Sequence, residues 1–253
     1  MNKTSVFRKF ARAIRQNLYP IPWQSKQFIR ESGSRFAASV KSGAVCLDIG
    51  SGVSPHCTAI QRSFDISRYI ALDLAPSEST TVVADAALLP LPNSCIDLAI
   101  SMEVLQHLDN AAIGLDEVAR VLSPNGLLIV SFPFTYAECD VVDFHRWTLK
   151  GMEYELKARG FEVLLARRRG GVFFVLASML HWGAQHVIPG ARRSWRAPST
   201  PLAVLRSGLV QLLALPTAAL GWLALGIDSV VPVSGIYVGG LIIARRLKNA
   251  DAF

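Results

Sequence analysis

Short apolar runs alternate with helical or turn segments through the middle of this chain, and this alternation limits its possible folds more than any other feature. Each of the first five runs is six or seven residues long. They are AVCLDI (44–49), RYIALD (68–73), TTVVAD (80–85), CIDLAIS (95–101) and GLLIVSF (126–132). Such runs are typical of buried parallel strands. Their alternation with helices predicts an α/β fold whose parallel sheet is covered on both faces.

Two segments in the same region have the pattern of helices. They are AAIGLDEVARVL (111–122) and LKGMEYELKARG (149–160). Thr148 is the expected N-cap of the second helix, because its hydroxyl can accept a hydrogen bond from a free backbone N–H. Gly160 is the expected stop of that helix.

A carboxylate stands at the end of each of the first three predicted strands: Asp48, Asp73 and Asp85. Gly50 and Gly52 follow the first acid, where glycine lets the backbone turn tightly and lets a ligand approach it closely. The carboxyl ends of parallel strands meet at one edge of a sheet, so the three acids are expected to line one crevice. A carboxylate after the second strand can accept two hydrogen bonds from ribose hydroxyls.

The same residues exclude two common nucleotide sites. Pro55 stands where the dinucleotide fingerprint G-x-G-x-x-G requires its third glycine, although a proline suits the first turn of the next helix. No G-K-[ST] follows the glycines, which excludes a P-loop. Carboxylates around the crevice would repel a pyrophosphate and suit a ligand with a ribose, an ammonium group and a sulfonium.

The motifs of residues 44–168 resemble those of the class I S-adenosylmethionine-dependent methyltransferases, of the broad type 11 kind. LDIGSGVS resembles the first motif of that family, ALDL the second, and ADAALLPLPNSCIDLAIS the adenine loop and fourth strand. The most specific match is EVLQHLDNAAIGLDEVARVLSPNGLLIVSFPF, with its E-x-x-R-V-L-x-P-x-G and terminal proline. The resemblance implies a Rossmann-like class I methyltransferase sheet, mostly parallel with strand seven antiparallel, and S-adenosylmethionine as the cofactor.

The resemblance also implies a role for each motif. The acid and glycines of the first motif would hold the methionine end of the cofactor, and the second motif would bind the ribose. The acid after strand three would face the adenine amino group, and the residues after strand four would line the methyl-donor pocket. The cofactor-binding candidates are Asp48, Gly50, Gly52, Asp73, Leu74, Asp85, Ala86, Met102 and Glu103. No metal is expected.

The chain departs from the family pattern at two points. Ser54 stands where many members carry a third glycine. The segment after Asp73 is short and contains Pro76, so we expect a turn in place of the usual second helix.

Three residues are candidates for a general base, which helps methyl transfer to a hydroxyl. His107 follows strand four, and Asp143 and His145 lie in DFHRW (143–147) after strand five. His107 can equally be a packing histidine. The DFHRW segment, which also contains Arg146, can equally be a loop anchored by its aromatic residues.

Charge divides the chain into three parts. The formal net charge is +8 for residues 1–41, −9 for residues 42–166 and +8 for residues 167–253. Basic segments imply an anionic partner, either lipid headgroups or nucleic acid. Residues 4–18 have the pattern of a basic amphipathic helix, which can lie in a membrane interface or pack on its own domain. Pro20 is expected to end that helix.

An apolar insert of 66 residues, 169–234, separates the predicted sixth and seventh strands at 161–168 and 235–247. In the family a short turn usually joins this antiparallel pair. A narrower resemblance, to methyltransferases that accompany bacterial surface-polysaccharide glycosyltransferases, rests on DFHRWTLKGMEYELKARGF followed by RRRGG and such an insert. Residues 207–227 of the insert carry no charge, and a helix over them would be about 31 Å long, close to the thickness of a bilayer core.

Topology limits what this insert can do at a membrane. Strand seven must return to the sheet that holds strand six, so the insert crosses a membrane twice or not at all. A double crossing would put the basic linker at 191–200 on the far side, against the positive-inside rule. Pro216, Gly221 and Gly226 are expected to interrupt the second apolar segment. A helix or helical hairpin in the interface fits better, with a helical cap or a dimer interface as the alternative.

These features predict three parts: a basic amphipathic helical segment at 1–41, an S-adenosylmethionine-binding domain at 42–168 plus 235–248, and the apolar helical insert at 169–234. The expected function is methylation of a lipid-linked saccharide or other lipid-like acceptor at an anionic membrane surface. The alternatives are a soluble small-molecule or RNA methyltransferase, although nucleic acid is the less favoured partner, and a non-catalytic membrane-bound module. The oligomeric state stays open.

The expected location is the cytoplasmic face of the cell membrane, as a peripheral or monotopic protein. The four cysteines form no C-x-x-C pair and are interpreted as reduced thiols. The first residues lack the long apolar run of a secretory signal.

Overall fold

The residues that the computed structural model describes are 19–138, 142–186, 201–231, 233 and 235–248, with all side chains except those of 184–186 and 201–214. The predicted helix at 4–18 and the basic linker at 191–200 therefore lie outside the described residues. The described chain divides into two compact units. The sheet unit comprises Ser25–Phe134, Glu138–Arg168 and the chain from Gly239, and the helical unit comprises the chain up to Gln24, Thr135–Ala137 and Arg169–Val238.

The strands form one seven-stranded sheet in the order β3-β2-β1-β4-β5-β7-β6. Their bounds are β1 Ala44–Ile49, β2 Ile66–Asp73, β3 Val82–Val83, β4 Ile96–Met102, β5 Leu122–Pro133, β6 Phe161–Arg169 and β7 Gly239–Arg246. The four pairs among β1 to β5 are parallel, and β5 pairs with β7 antiparallel. The predicted mostly parallel sheet with an antiparallel seventh strand is confirmed.

Six helices accompany the strands in the described residues. Their bounds are α1 Pro20–Phe36, α2 Cys57–Ser63, α3 Ala111–Val121, α4 Leu149–Lys157, α5 Val172–His186 and α6 Pro201–Val230. Thr148 caps α4 as predicted, since its Oγ1 accepts a hydrogen bond from the Gly151 N–H at 3.0 Å. Short 3₁₀ turns occupy Ala37–Ser39 and Leu105–His107.

Separate apolar clusters cover the two faces of the sheet, as expected when successive strand side chains point to opposite sides. One cluster joins Leu47 to buried residues of α3 and α4. The other joins Cys46 to Phe28 and Ile29 of α1 and to residues of α2. The continuously apolar strands follow from burial on both faces.

Several predicted boundaries are wrong. The third strand covers two residues rather than 80–85, so Asp85 lies two residues past its end. The seventh strand starts at Gly239 rather than at 235, and α2 starts at Cys57, so Pro55 precedes the helix. Apolar composition extends beyond the residues that pair with a neighbouring strand.

The prolines near the N-terminus begin a helix rather than only ending one. Pro20 is the first residue of α1, a position where the missing N–H of proline costs nothing. Pro216, Gly221 and Gly226 lie inside α6, which runs without interruption for 30 residues, so the predicted interruption is wrong. A Cβ at Gly221 would lie 2.7 Å from Cε2 of Tyr19, so this glycine permits close packing within the helical unit.

The helical unit has a core of its own. Tyr19, Phe174, Val175 and Ala218 are among its buried members, and α5 packs on α6. The side chain of Asp228, near the end of α6, accepts hydrogen bonds from three N–H groups at the start of α5, those of Gly171, Phe173 and Phe174 at 2.7–3.1 Å. This carboxylate thereby caps the neighbouring helix.

The described part of the helical unit exposes fourteen large apolar side chains, against nine in the longer sheet unit. In α5, Phe173, Leu176 and Leu180 share one outer stripe, and α6 repeats the pattern. Within the described residues, no helix combines the length and apolar character that crossing a membrane requires.

Candidate active site

The loop after β1 turns through three residues in the left-handed backbone region: Gly50 (φ +64°), Gly52 (φ +54°) and Ser54 (φ +50°). A Cβ at Gly50 would lie 2.9 Å from Cγ1 of Val104 and closer still to its Cγ2. A Cβ at Gly52 would meet nothing within 4 Å. Packing therefore requires glycine at position 50, and Gly52 borders open space that a ligand can enter.

Asp73 ties the end of β2 to this loop. Its Oδ2 accepts a hydrogen bond from the Gly52 N–H at 2.8 Å, and its Oδ1 accepts one from the Ala75 N–H at 2.9 Å. The Ser77 hydroxyl donates to the Gly52 carbonyl at 2.7 Å. The described segment from Asp73 to β3 contains no helix, in agreement with the expected turn.

Asp48 is a buried carboxylate at the same edge of the sheet, with 2% of its surface exposed. Its Oδ2 accepts a hydrogen bond from the Tyr69 hydroxyl. The pKa of Asp48 is raised to about 7: burial raises it most, the hydrogen bond from Tyr69 lowers it, and the charge of Asp73 raises it. The site thus holds a carboxylate that a neighbouring cation would keep ionised.

Tyr69 was missed by the sequence interpretation. The signal was available, since Tyr69 precedes Asp73 by four residues and strand alternation puts both on one face. The register adds that Asp48 pairs with Ala71, so Tyr69 lies on that same face next to Asp48.

The candidates for the adenine end lie beyond β3. Asp85 is exposed, and its Oδ1 accepts a hydrogen bond from the Ala87 N–H at 2.8 Å. Leu74 is 73% exposed. The carbonyl of Ala86 lies 3.9 Å from where a Cβ of Gly114 in α3 would be, so the loop passes close to that helix.

Met102 and Glu103 lie at the end of β4. Met102 is the last strand residue rather than the first after it, and it is 8% exposed. Glu103 adopts φ +58°, and its N–H and carboxylate both bond the Ser131 hydroxyl, at 3.0 and 2.8 Å. Ser131 of β5 is a second residue that sequence reasoning missed.

His107 and the DFHRW segment lie together. His107 Nδ1 donates to the Val142 carbonyl at 2.5 Å, and its Nε2 lies 3.3 Å from the Gln106 amide nitrogen. The Phe144 N–H donates to the Gln106 carbonyl at 2.7 Å. His107 thus helps to hold the segment against the loop after β4.

The other two base candidates differ in how their polar atoms are used. Both oxygens of Asp143 accept from Arg146, one of them at 2.7 Å, and the Asp143 side chain is fully buried. His145 Nε2 donates to the Asp109 carbonyl at 3.1 Å, and its ring lies 5.3 Å from that of Trp147. Among the described residues, Nδ1 of His145 has no hydrogen-bond partner.

Comparison with known proteins agrees with this geometry. The family model described as "Methyltransferase domain" matches residues 47–130, which include the loop after β1 and strands β2 to β4. The match covers about a third of this chain, and the sheet order agrees with the fold of the class I S-adenosylmethionine-dependent methyltransferases.

Two curated relatives carry methyltransferase names. The chain is 30% identical over 155 residues to a tRNA (carboxymethyluridine(34)-5-O)-methyltransferase of Arabidopsis thaliana, covering 57% of this chain and 38% of the relative. It is 26% identical over 187 residues to a ubiquinone biosynthesis O-methyltransferase of Rhodopseudomonas palustris, covering 59% of this chain and 72% of the relative. The chain thus spans well under half of the plant relative.

A solved structure shares the fold. The Haemonchus contortus phosphoethanolamine N-methyltransferase 2, in complex with S-adenosylhomocysteine, aligns with a TM-score of 0.54 and 15% identity. The alignment covers 87% of this chain and 52% of that protein.

The residues at the edge of the sheet fit the family's cofactor, S-adenosylmethionine. Asp48 suits its ammonium group. The Ser51 hydroxyl is buried without a hydrogen-bond partner among the described residues, so it is available to the carboxylate of an amino-acid ligand. Gly52 leaves the space that the ligand needs.

Proposed function

We propose that this chain transfers the methyl group of S-adenosylmethionine to a lipid-linked saccharide or other lipid-like acceptor at the cytoplasmic face of a bacterial membrane. The observation that carries the membrane part is the apolar outer face of the helical unit. The observation that carries the chemistry is the carboxylate-lined edge of the sheet.

The cofactor supplies an already activated methyl group, so the protein has to bind and orient the two reactants. Asp48 and Ser51 would hold the methionine end, Asp73 with Leu74 the ribose, and Asp85 with Ala86 the adenine. Met102 and Glu103 would line the methyl-donor pocket. These assignments follow the family motifs, and the contacts described above support them.

His145 is the proposed general base for a hydroxyl acceptor. Its Nδ1 has no hydrogen-bond partner among the described residues. In contrast, the carboxylate of Asp143 accepts hydrogen bonds from Arg146, and Nδ1 of His107 bonds the Val142 carbonyl. A His145→Gln variant should lower kcat at unchanged cofactor affinity. An unchanged kcat would remove His145 from this role.

The outer face of the helix pair α5 and α6 is apolar where its side chains are described. On α6, Leu220, Leu223 and Ile227 lie at helical spacing and are 39%, 61% and 36% exposed. Trp23 and Trp222, which meet edge to face with ring centroids 5.3 Å apart, are also exposed. Paired exposed indoles beside leucines are typical of surfaces that enter the interface of a membrane.

Charge supports the same partner. Residues 167–253 carry ten basic and two acidic side chains, so an anionic lipid surface would attract the part of the sequence that contains the apolar face. The proposed domain arrangement is a catalytic domain at 42–168 plus 235–248, a basic helical segment at 1–41, whose residues from Ser25 pack with the sheet unit, and the insert 169–234 as the membrane-binding part.

Isothermal titration with S-adenosylhomocysteine tests the cofactor site. Binding by the wild type and a loss of about 50-fold or more in Asp73→Ala are expected, because the ribose would lose its two acceptors. No binding by the wild type would contradict the enzyme assignment.

Flotation with anionic and neutral vesicles tests the membrane part. The wild type should float with anionic vesicles, and Leu180→Asp with Leu223→Asp should abolish flotation. Ile113→Asp, which changes an exposed apolar residue of the sheet unit, is the matched control and should float normally. Equal flotation of all three proteins would contradict membrane contact through this face.

Mass spectrometry of membrane glycolipids and quinones from cells with and without the protein tests the acceptor. The expected result is a lipid that gains 14 daltons, one CH₂, only when the protein is present. A lipid fraction without such a shift would contradict the proposed acceptor class.

The name of the plant relative supports a second candidate, methylation of RNA. In that case the basic segments would contact phosphates, and the helix pair would be a cap or a dimer interface. Tight, salt-sensitive RNA binding without flotation would favour this candidate. Biological activity retained by Asp48→Ala would instead favour a non-catalytic module.

A further inference from the structure

Four side chains share one face of the sheet where β1 and β2 run side by side. Asp48 pairs with Ala71 in the parallel register, and Cys46 pairs with Tyr69. The Tyr69 hydroxyl nevertheless bonds the Asp48 carboxylate, so the phenol reaches forward past the small Ala71 side chain. A larger residue at position 71 would occupy the space that this reach uses.

The two oxygens of Asp48 have different surroundings. Tyr69 occupies Oδ2, and Oδ1 has no hydrogen-bond partner among the described residues. A carboxylate held by one oxygen cannot rotate freely about its terminal bond, so the direction of its second oxygen is fixed.

We propose that Tyr69 is a positioning residue for the cofactor, and that its hydroxyl holds Oδ2 of Asp48 so that Oδ1 meets the ammonium group of S-adenosylmethionine. This inference rests on the proposed function, since it requires the cofactor to bind at the loop after β1. Tyr69 does not itself touch the reacting atoms.

The same bond has an electrostatic consequence. Burial raises the pKa of Asp48 to about 7, and the hydrogen bond from Tyr69 opposes that rise. Without the hydroxyl, the pKa of Asp48 moves further up, and less of the carboxylate is charged at neutral pH. An ammonium ligand then binds a partly protonated partner.

The other titratable groups near Asp48 cannot replace Tyr69. Asp73 adds negative charge and raises the pKa of Asp48. The thiols of Cys46 and Cys57 lie close enough to interact with Asp48, and burial raises the pKa of each thiol, so both are neutral. Ile100, the β4 residue paired with Asp48, carries no charge.

The test is Tyr69→Phe, which removes the hydroxyl and keeps the ring. Isothermal titration with S-adenosylhomocysteine between pH 5.5 and 8.5 should show about a ten-fold weaker Kd at pH 7, as expected for loss of one hydrogen bond to a charged group. The midpoint of the pH dependence should move upward, so the difference from wild type should shrink by pH 8.5. A purely structural role would weaken binding equally at every pH.

Two further variants define the result. Tyr154→Phe, a 73% exposed tyrosine of α4, should bind like wild type. In an Asp48→Asn background, Tyr69→Phe should change Kd by less than about two-fold, because the group through which it acts is gone.

An unchanged Kd and midpoint in Tyr69→Phe, or a variant that binds at no pH, would overturn the inference while leaving the cofactor site intact in the wild type. Absence of binding by the wild type would contradict both this inference and the proposed function.

Discussion

The sheet unit and the helical unit of this chain differ in how far their apolar side chains are buried. Leu47 and Cys46 of β1 point to opposite faces, and helices cover both, so the strands are buried on each side. In the helical unit Phe174 points inward to a buried core, whereas its neighbour Phe173 is exposed. A helix pair that is apolar outside as well as inside presents a surface suited to a further partner.

The polar side chains of the two units also have different partners. In the sheet unit Asp48 and Ser51 lie at the edge where the cofactor would bind, and each keeps an atom without a partner among the described residues. In the helical unit Asp228 and His181 bond other residues of that unit. At these positions the sheet unit has polar atoms available to a ligand, whereas the polar side chains of the helical unit connect its helices.

The largest expected effect is at Gly50. Gly50→Ala forces a Cβ against Val104 at a positive φ, so the loop must move, at a cost of about 2–4 kcal/mol. Affinity for S-adenosylhomocysteine should fall by about 100-fold in isothermal titration, and vesicle flotation should be unchanged. Normal affinity would show that the loop does not bind the ligand in this conformation.

The next largest effect is the pH dependence of the free energy of unfolding, which should have opposite signs in the two units. The pKa of Asp48 is raised from 3.8 to about 7, so the folded sheet unit keeps a proton that the unfolded chain loses, and its free energy of unfolding falls as pH rises from 4 to 7. The pKa of His181 is lowered by burial from 6.5 to about 4, so the free energy of unfolding falls as pH drops from 6.5 to 4.

Urea titrations at several pH values measure both effects, each on the order of 3 kcal/mol. Asp48→Asn should remove the loss at rising pH, and His181→Asn should remove the loss at falling pH. If both variants change the pH dependence of stability in the same direction, the predicted difference between the units is wrong.

A smaller effect is expected at Asp228. Asp228→Ala leaves three N–H groups at the start of α5 without their acceptor and should cost about 2 kcal/mol. Hydrogen exchange should accelerate in α5, while cofactor affinity stays normal. Ser229→Ala, whose hydroxyl makes one exposed bond to the Gly226 carbonyl, is the control and should change exchange little. Equal exchange in both variants would contradict the capping role.

The smallest expected effect is at Gly183, where a glycine-to-alanine substitution should stabilise rather than destabilise the protein. Gly183 lies inside α5, and a Cβ there would meet nothing within 4 Å. Gly183→Ala should therefore stabilise the helix by about 0.5–1 kcal/mol, measured by thermal unfolding. The same substitution thus damages the loop of the sheet unit and strengthens the helix of the other; a lower Tm would show that position 183 is more crowded than its surroundings indicate.

The sequence by itself determined the fold class and the residues of the first strand, 44–49, because a strand buried on both faces needs a continuous apolar run. It also predicted that Asp48 and Asp73 lie at the ends of neighbouring strands and so share an edge, whereas Asp85 lies past the end of its strand. It did not determine the length of the third strand, because β2 is eight residues long and yet only Leu72 and Asp73 pair with β3.

Only the tertiary structure decided which groups bond across that edge and between helices. Tyr69 meets Asp48 because of a register that brings two strands side by side, and Asp228 meets Gly171 from 57 residues away. Likewise Pro216 and Gly221 signal a break locally, yet α6 continues through both as it packs on α5. The sequence pattern predicts which face of a helix or strand is buried. Contacts between residues far apart in the chain determine which element packs against that face.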